Sequence, residues 1–159
     1  MRKPPVHRIS RDAIKVWQIT AILYELIVWL LAIVGLVLHF INDFPIWIVL
    51  AAFGISILST IITVFLIPNL RWKRWRYEVF EQEIYIQHGI LIVSRTLIPM
   101  IRVQHVETKQ GPILKHFNLA SVSISTAATT HEIPALSNEI ASDLRDKISS
   151  LAKVDEDDV

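Results

Sequence analysis

Six histidines are the chain's most versatile side chains: His7, His39, His88, His105, His116 and His131. A neutral imidazole binds metals and moves protons near neutral pH, but either job needs partners at defined spacing. No HExxH pair occurs. His131 and Glu132 are adjacent, and on a strand adjacent side chains point to opposite faces. His105 and Glu107 share a face, but they would hold a metal only with a third ligand from a neighbouring strand. Ser121, Ser123 and Ser125 alternate along one strand face and read as a solvated or hydrogen-bonding surface. No GxSxG nucleophile setting and no GxxxxGK phosphate loop is present, and the chain has only four glycines. It has no cysteine, which excludes disulfides, thiolate metal sites and a thiol nucleophile. The expectation is a protein that is not an enzyme, with no catalytic residues, metal site or cofactor.

The remaining reactive side chain is Glu25, which lies inside an apolar run. A carboxylate at such a place is costly and marks a functional position by default. Three roles are open: a proton or ion site, a contact between helices or copies of the chain, or polarity tolerated by reaching toward the interface. A matching polar stripe lies further on, at Ser56, Ser59, Thr60 and Thr63, on one helical face. Small hydroxylated residues let helices approach closely and hydrogen-bond across. This face is expected to meet the helix of Glu25 or another copy of the protein.

These groups must be positioned by two apolar segments, ITAILYELIVWLLAIVGLVLHF and PIWIVLAAFGISILSTIITVFLI, separated by Ile41-Asn42-Asp43-Phe44-Pro45. Each has about the 20 residues that a helix needs to cross a ~30 Å hydrocarbon core. The short break forces an antiparallel hairpin. The 52% of hydrophobic residues is concentrated here, which leaves the C-terminal half to build a water-facing core. The first apolar run is too long for a signal-peptide core and no small-residue cleavage site follows, so it is expected to be retained.

Net charge is only +1, but its distribution is uneven. Arg2, Lys3, Arg8, Arg11 and Lys15 precede the first span; Arg71, Lys73, Arg74 and Arg76 follow the second; the connecting loop has only Asp43. The positive-inside rule puts both termini of this multi-pass chain in the cytoplasm and the connecting loop outside. Trp17 and Trp47 sit near span ends as interfacial anchors, and Trp72, Arg74, Trp75 and Arg76 form an aromatic–basic collar suited to lipid headgroups. Each basic residue there is worth about 1 kcal/mol near an anionic surface. Nucleic acid is not expected as a partner, because this cluster adjoins the membrane.

Residues 1–15 read as a basic, flexible arm that turns helical near Ser10, which can cap the helix start. The hairpin covers 16–68 and ends at Pro68; the collar covers 69–76. From Tyr77 the period changes to two, and six or seven short strands follow, punctuated by Glu81-Gln82-Glu83, Gly89, Pro99 and Gln110-Gly111-Pro112. The third of these strands is expected over Ile90 to Ile98, and Ile113 to Leu119 as a helical turn or loop. Leu136, Ile140, Leu144, Ile148 and Leu151 then recur at spacings of 4, 4, 4 and 3, as on a helix capped by Ser137 that packs on the sheet. This domain spans 77–152, and the acidic tail 153–159.

Trp72-x-x-x-Arg76-Tyr77-x-Val79 follows the spans; Ile84-Tyr85-Ile86-Gln87-His88-Gly89 closes the first hairpin; Thr96-Leu97-Ile98-Pro99, Arg102-Val103-Gln104-His105-Val106, Gln110-Gly111-Pro112 and Phe117-Asn118-Leu119-Ala120 come next. In this combination, over nearly the whole length, the chain resembles the YdbS-like family of small bacterial membrane proteins. The resemblance implies a transmembrane helical hairpin followed by a small, mainly-β domain like the pleckstrin-homology (PH) fold. That fold is an antiparallel sheet of about seven strands, nearly a barrel, with a C-terminal capping helix. It also implies that some members serve in envelope stress or resistance to membrane-active antimicrobial peptides, beside a larger paralogue. Inositol-phosphate binding does not carry over, since the first hairpin loop is Glu81-Gln82-Glu83 and not a Lys/Arg cluster.

The first expectation for function is therefore a membrane-tethered interaction module assembling with a homologous or paralogous membrane protein, its surface formed by Arg102, His105, Lys109, Lys115 and His116. The second is recognition of anionic lipid or amphiphiles through the collar. The third is a small oligomeric transporter or channel, in which Glu25 would line the path. A homo-oligomer fits the first and is required by the third.

Overall fold

The computed structural model describes residues 3–42 and 45–157, with side chains through Lys153. The chain divides into two compact units: one is Ile14–Leu70, the other joins the residues up to Ala13 with those from Arg71 onward.

The first unit is helical. Helix α1 runs over Ala13–Asn42, long enough at 1.5 Å per residue to cross a bilayer with length to spare. Helix α2 covers Ile46–Thr60, continues through a π-helical stretch at Ile61–Leu66, and is carried on by α3 at Ile67–Arg74. Leu23, Leu26, Leu30, Leu31, Ile55 and Leu58 are each more than half exposed, so these helices are not the core of a soluble domain. Their apolar faces require lipid.

Pro68 does not end the second span, as its missing N–H led us to expect. The helix passes through it to Arg74. The π-helical turns just before it are the reason. They widen the helix, so that the Ile67 N–H bonds to Ile62 five residues back, and so relax the clash that proline makes with the preceding turn. Asn69 Nδ2 then donates to the Phe65 carbonyl at 2.7 Å, at the turn that proline leaves short of donors. Three basic residues of the collar, Arg71, Lys73 and Arg74, thereby fall in the last helical turn, where they complement the helix dipole.

The second unit is a pair of antiparallel sheets. Strands β1 (His7–Arg8), β2 (Arg76–Val79), β3 (Glu83–His88) and β4 (Ser94–Pro99) lie in that order in one sheet. Strands β5 (Val103–Lys109), β6 (Leu119–Thr126) and β7 (Thr130–Ser137) form the other. A 3-10 turn at Met100–Arg102 carries the chain from one sheet to the next, and α4 (Pro112–His116) bridges β5 and β6. Helix α5 starts at Asn138 and runs to Asp157. Ile84, Ile86, Ile98, Met100, Val122, Ile124, Ile133, Leu136, Ala141 and Ile148 make the core.

The N-terminal arm is not free. His7 pairs with Tyr77 and Arg8 with Arg76, so the arm adds an edge strand. Past it, Ser10 Oγ accepts from the Asp12 N–H at 3.3 Å and caps the approach to α1. The third strand starts at Ser94, not Ile90; the residues before it form the β3–β4 loop. Ser121 and Ser123 are buried and not solvated, because β6 is the central strand of its sheet and both its faces are covered. Helix α5 begins after Leu136, which stays in β7, and it buries Ala141, Leu144 and Ile148 while Ile140 is half exposed. Ser137 Oγ does accept from the Ile140 N–H, at 3.4 Å.

Candidate functional site

Within the helical unit, Glu25 faces the hydroxyl stripe. Only 6% of it is exposed. Ser59 Oγ donates to Glu25 Oε1 at 2.7 Å, Thr63 Oγ1 lies 2.8 Å from the same oxygen, and Thr60 Oγ1 lies 3.3 Å from Oε2. Thr60 and Thr63 have a second acceptor one turn back, the carbonyls of Ser56 at 2.8 Å and Ser59 at 2.9 Å. Each hydroxyl has one proton, so helix backbone and carboxylate compete for it. Trp29 Nε1 donates to Thr60 Oγ1 at 3.1 Å, and its ring meets Phe53 edge-on at 6.0 Å. Ser56 takes no part in the Glu25 cluster; its hydroxyl donates to its own helix at Ala52. The arrangement is a polar clasp between the two spans. Trp29 was not legible as a member, since tryptophan in a span reads first as apolar surface.

In the sheet unit, the expected collar is divided. Trp75 is buried, with its ring stacked on His88 at 5.6 Å, so it is not an interfacial anchor. Trp72 is half-buried: its indole N–H donates to the Ile9 carbonyl at 3.3 Å, and the Arg8 guanidinium lies over its ring at 5.6 Å. Arg76 lies in β2, between Arg8 and Gln87. The cause is the arm: β1 and the end of β3 close around these side chains. Arg74 and Lys73 stay exposed, Trp47 is exposed at the start of α2, and Trp17 is half-buried on α1.

The five residues expected to bind a partner do not form one cationic patch. His105 and Lys109 lie on one face of the edge strand β5, with Glu107 between them. Lys109 Nζ is 2.8 Å from Glu107 Oε1, and His105 Nε2 is 3.7 Å from Oε2. The hydrogen bond from Lys109 holds the Glu107 carboxyl below its ordinary range, and the same bond holds the Lys109 ammonium above its own. Glu107 thus masks the charge that made Lys109 a candidate. Arg102 sits in the 3-10 turn before β5; Lys115 and His116 sit on α4, where His116 packs against Phe117. Among the described residues, no three His, Asp or Glu side chains come together as a metal site.

Grooves flank α5 on both sides. One, of about 340 Å³, is lined by His7, Tyr77, Val79, Ile140, Asp143, Leu144 and Lys147. Another, of about 390 Å³, is lined by Ile101, Val103, His105, Val106, Ser149 and Lys153 among others. Burial raises the Tyr77 hydroxyl pKa, which keeps it neutral. Sequence reasoning missed the first groove because Ile140 fits the apolar stripe and reads as core.

The model of the bacterial PH domain matches residues 15–152. The UPF0699 transmembrane protein YdbS of Bacillus subtilis (strain 168) is 51% identical over 159 residues, the whole of both chains. The UPF0699 transmembrane protein YdbT of the same organism is 25% identical over 79 residues, half of this chain but only 16% of that longer protein. No solved structure matches. Two exposed apolar helices, a two-sheet domain capped by a helix, the family-model match and the full-length relative agree: the chain is a membrane protein of the UPF0699 transmembrane group and belongs to the bacterial PH-domain family.

Proposed function

We propose that this protein is a membrane-tethered, non-enzymatic interaction module that assembles with a paralogous membrane protein. The observation that carries this reading is the open groove between β5 and α5. Its apolar wall, Ile101, Val103 and Val106, is rimmed by His105 and Lys153. That is the composition of a docking groove, with an apolar centre and a polar rim. Arg102 precedes it on the chain; Lys115 and His116, on α4, are not among its lining residues. A longer UPF0699 protein with a partly homologous stretch exists beside the full-length relative in one organism, which fits a paralogous partner.

The cytoplasmic arm 1–15, hairpin 16–68, collar 69–76, domain 77–152 and tail 153–159 follow from this reading as working boundaries, with both termini in the cytoplasm by the charge asymmetry. A role in envelope stress or antimicrobial-peptide resistance rests on the family resemblance. Transport is the weaker alternative, because the hydroxyl stripe already engages the Glu25 carboxylate.

The test is crosslinking in cells followed by capture of the full-length protein, beside an Arg102→Ala/His105→Ala/Lys115→Ala variant. One membrane protein captured by the wild type and lost in the variant supports the module. Capture that ignores the triple change removes this surface from consideration.

A further inference from the structure

The two most exposed large apolar side chains among the described residues are neighbours. Leu91 is 92% and Ile92 84% exposed, more than any lipid-facing residue of the two spans. They form the tip of the β3–β4 loop, residues 89–93. The loop is built and not merely slack. Gly89 takes φ 123°, and a Cβ there would lie 1.9 Å from the Ile92 carbonyl oxygen, so the backbone folds back tightly on itself at this glycine. The strands below are in register, Gln87 with Arg95 and His88 with Ser94, which fixes where the tip projects.

That direction is informative. Strand β2 leaves from Arg76, directly after Trp75, and β3 returns antiparallel so that Gln87 lies opposite Arg76. The loop therefore continues past the end of the sheet at which the chain arrives from its second span. This end of the sheet is fixed by internal contacts: the Trp75 ring stacks on His88, Gln87 Nε2 donates to the Arg74 carbonyl at 3.4 Å, and Arg95 Nε donates to Gln87 Oε1 at 3.0 Å. Arg74 and Arg95 are exposed cations flanking an exposed Leu–Ile pair. An apolar pair beside guanidinium groups, at the end of the sheet that the chain enters two residues after the second span's helix, matches a bilayer surface: acyl chain for the pair, phosphate for the rim.

We propose that Leu91 and Ile92 insert into the same membrane that the hairpin spans, with Arg74 and Arg95 on anionic headgroups. The spans tether the domain; this loop gives it a fixed face toward the lipid. The inference is independent of the protein partner proposed above.

The full-length chain has no cysteine, so a single label can be placed at will. Leu91→Cys and, as a control at the opposite end of the β2–β3 hairpin, Glu81→Cys would carry a polarity-sensitive dye. The labelled proteins would be studied in nanodiscs of phosphatidylglycerol and phosphatidylcholine containing doxyl-labelled lipid. The label at 91 is expected to shift to the blue and to be quenched severalfold more than that at 81. Adding Ile92→Asp to the Leu91→Cys protein is expected to abolish this quenching. The proposal fails if positions 91 and 81 are quenched alike. It fails also if quenching survives Ile92→Asp, since the dye and not the loop would then be inserting. Shielding of position 91 that appears only when another protein is added overturns it in favour of a protein contact.

Discussion

The backbone N–H of Ser10 donates to the carbonyl of Ala135 at 3.1 Å, and Ala135 holds a left-handed φ of 51° there. This one bond links the segment after β1, at the edge of the first sheet, to β7, at the edge of the second. On the opposite side the sheets are joined covalently through Met100–Arg102. The barrel-like closure thus depends on a segment that precedes the spans in sequence. Ala135 tolerates its conformation because it sits in a bulge: Val122 pairs with Ile133 and Ala120 with Leu136, which leaves two β7 residues opposite Ser121.

The Ser10 bond separates two substitutions at one position. Ser10→Ala removes only the hydroxyl that caps the Asp12 N–H, an expected loss of about 0.5–2 kcal/mol. Ser10→Pro also removes the N–H and leaves the buried Ala135 carbonyl without its donor, a further cost of about 1–3 kcal/mol. Thermal unfolding of the full-length protein in detergent would rank them. Equal losses would mean that the inter-sheet tie contributes nothing.

Much of this fold is legible in the sequence, for physical reasons. The spans are long and apolar, and the strands expected from the alternation at Tyr77–Val79 and from Ile84–His88 are present. What was not legible depends on partners far along the chain. Two residues, His7 and Arg8, have no periodicity to read; they become a strand only because β2 offers an open edge. Ser121 and Ser123 look like a wet face until β6 is seen between β5 and β7. Proline looks like a stop until the π turns relax the helix before it. Glu25 and the hydroxyl stripe were each visible, but their pairing needed the three-dimensional match.

Helix α5 gives a second test. Ile148 is fully buried and Ile140 half exposed, although both fit the same heptad-like stripe. Ile148→Ala is expected to cost about 2–5 kcal/mol by leaving a cavity, and Ile140→Ala well under half of that. Denaturant unfolding followed by circular dichroism would distinguish them. Similar losses would place Ile140 in the core.

The clasp between the spans gives a third. Glu25→Ala removes the shared acceptor of Ser59 and Thr63. Polar contacts between helices in membranes average about 0.6 kcal/mol and reach about 1.7, because hydroxyls can return to their own backbone. Thr63 already has that alternative at the Ser59 carbonyl. A double-mutant cycle of Glu25→Ala with Thr63→Val, read by unfolding in detergent or bicelles, should therefore give a coupling within that range. A coupling of zero would mean that the two groups do not meet.

The ion pair on β5 predicts a pH profile. The Glu107 pKa is lowered by the hydrogen bond from Lys109, so its contribution is full above the ordinary carboxylate value of about 4.3 and fades as pH falls through the lowered value. Lys109 is raised by the same bond, so its contribution is full below about 10.4 and fades as pH rises through the raised value. The stability difference between wild type and Glu107→Gln should be flat from mildly acidic to mildly alkaline pH and shrink at both ends. A constant difference at all pH values would mean that Glu107 acts through packing and not through charge.

Gly89 and Leu91 make opposite demands on the same loop, and that opposition can be measured. Gly89→Ala must relieve both a positive φ and a Cβ placed 1.9 Å from the Ile92 carbonyl oxygen. Backbone strain of this kind costs about 1–3 kcal/mol, so the variant should unfold earlier. Leu91→Ser removes a side chain that touches almost nothing in the fold, so its effect on folding in detergent should stay within about 0.5 kcal/mol. If Leu91→Ser proves as damaging as Gly89→Ala, the tip packs within the protein and its apolar character serves the fold. If it is silent, the exposed Leu–Ile pair has no structural reason in the folded unit, and its role lies in what the loop touches.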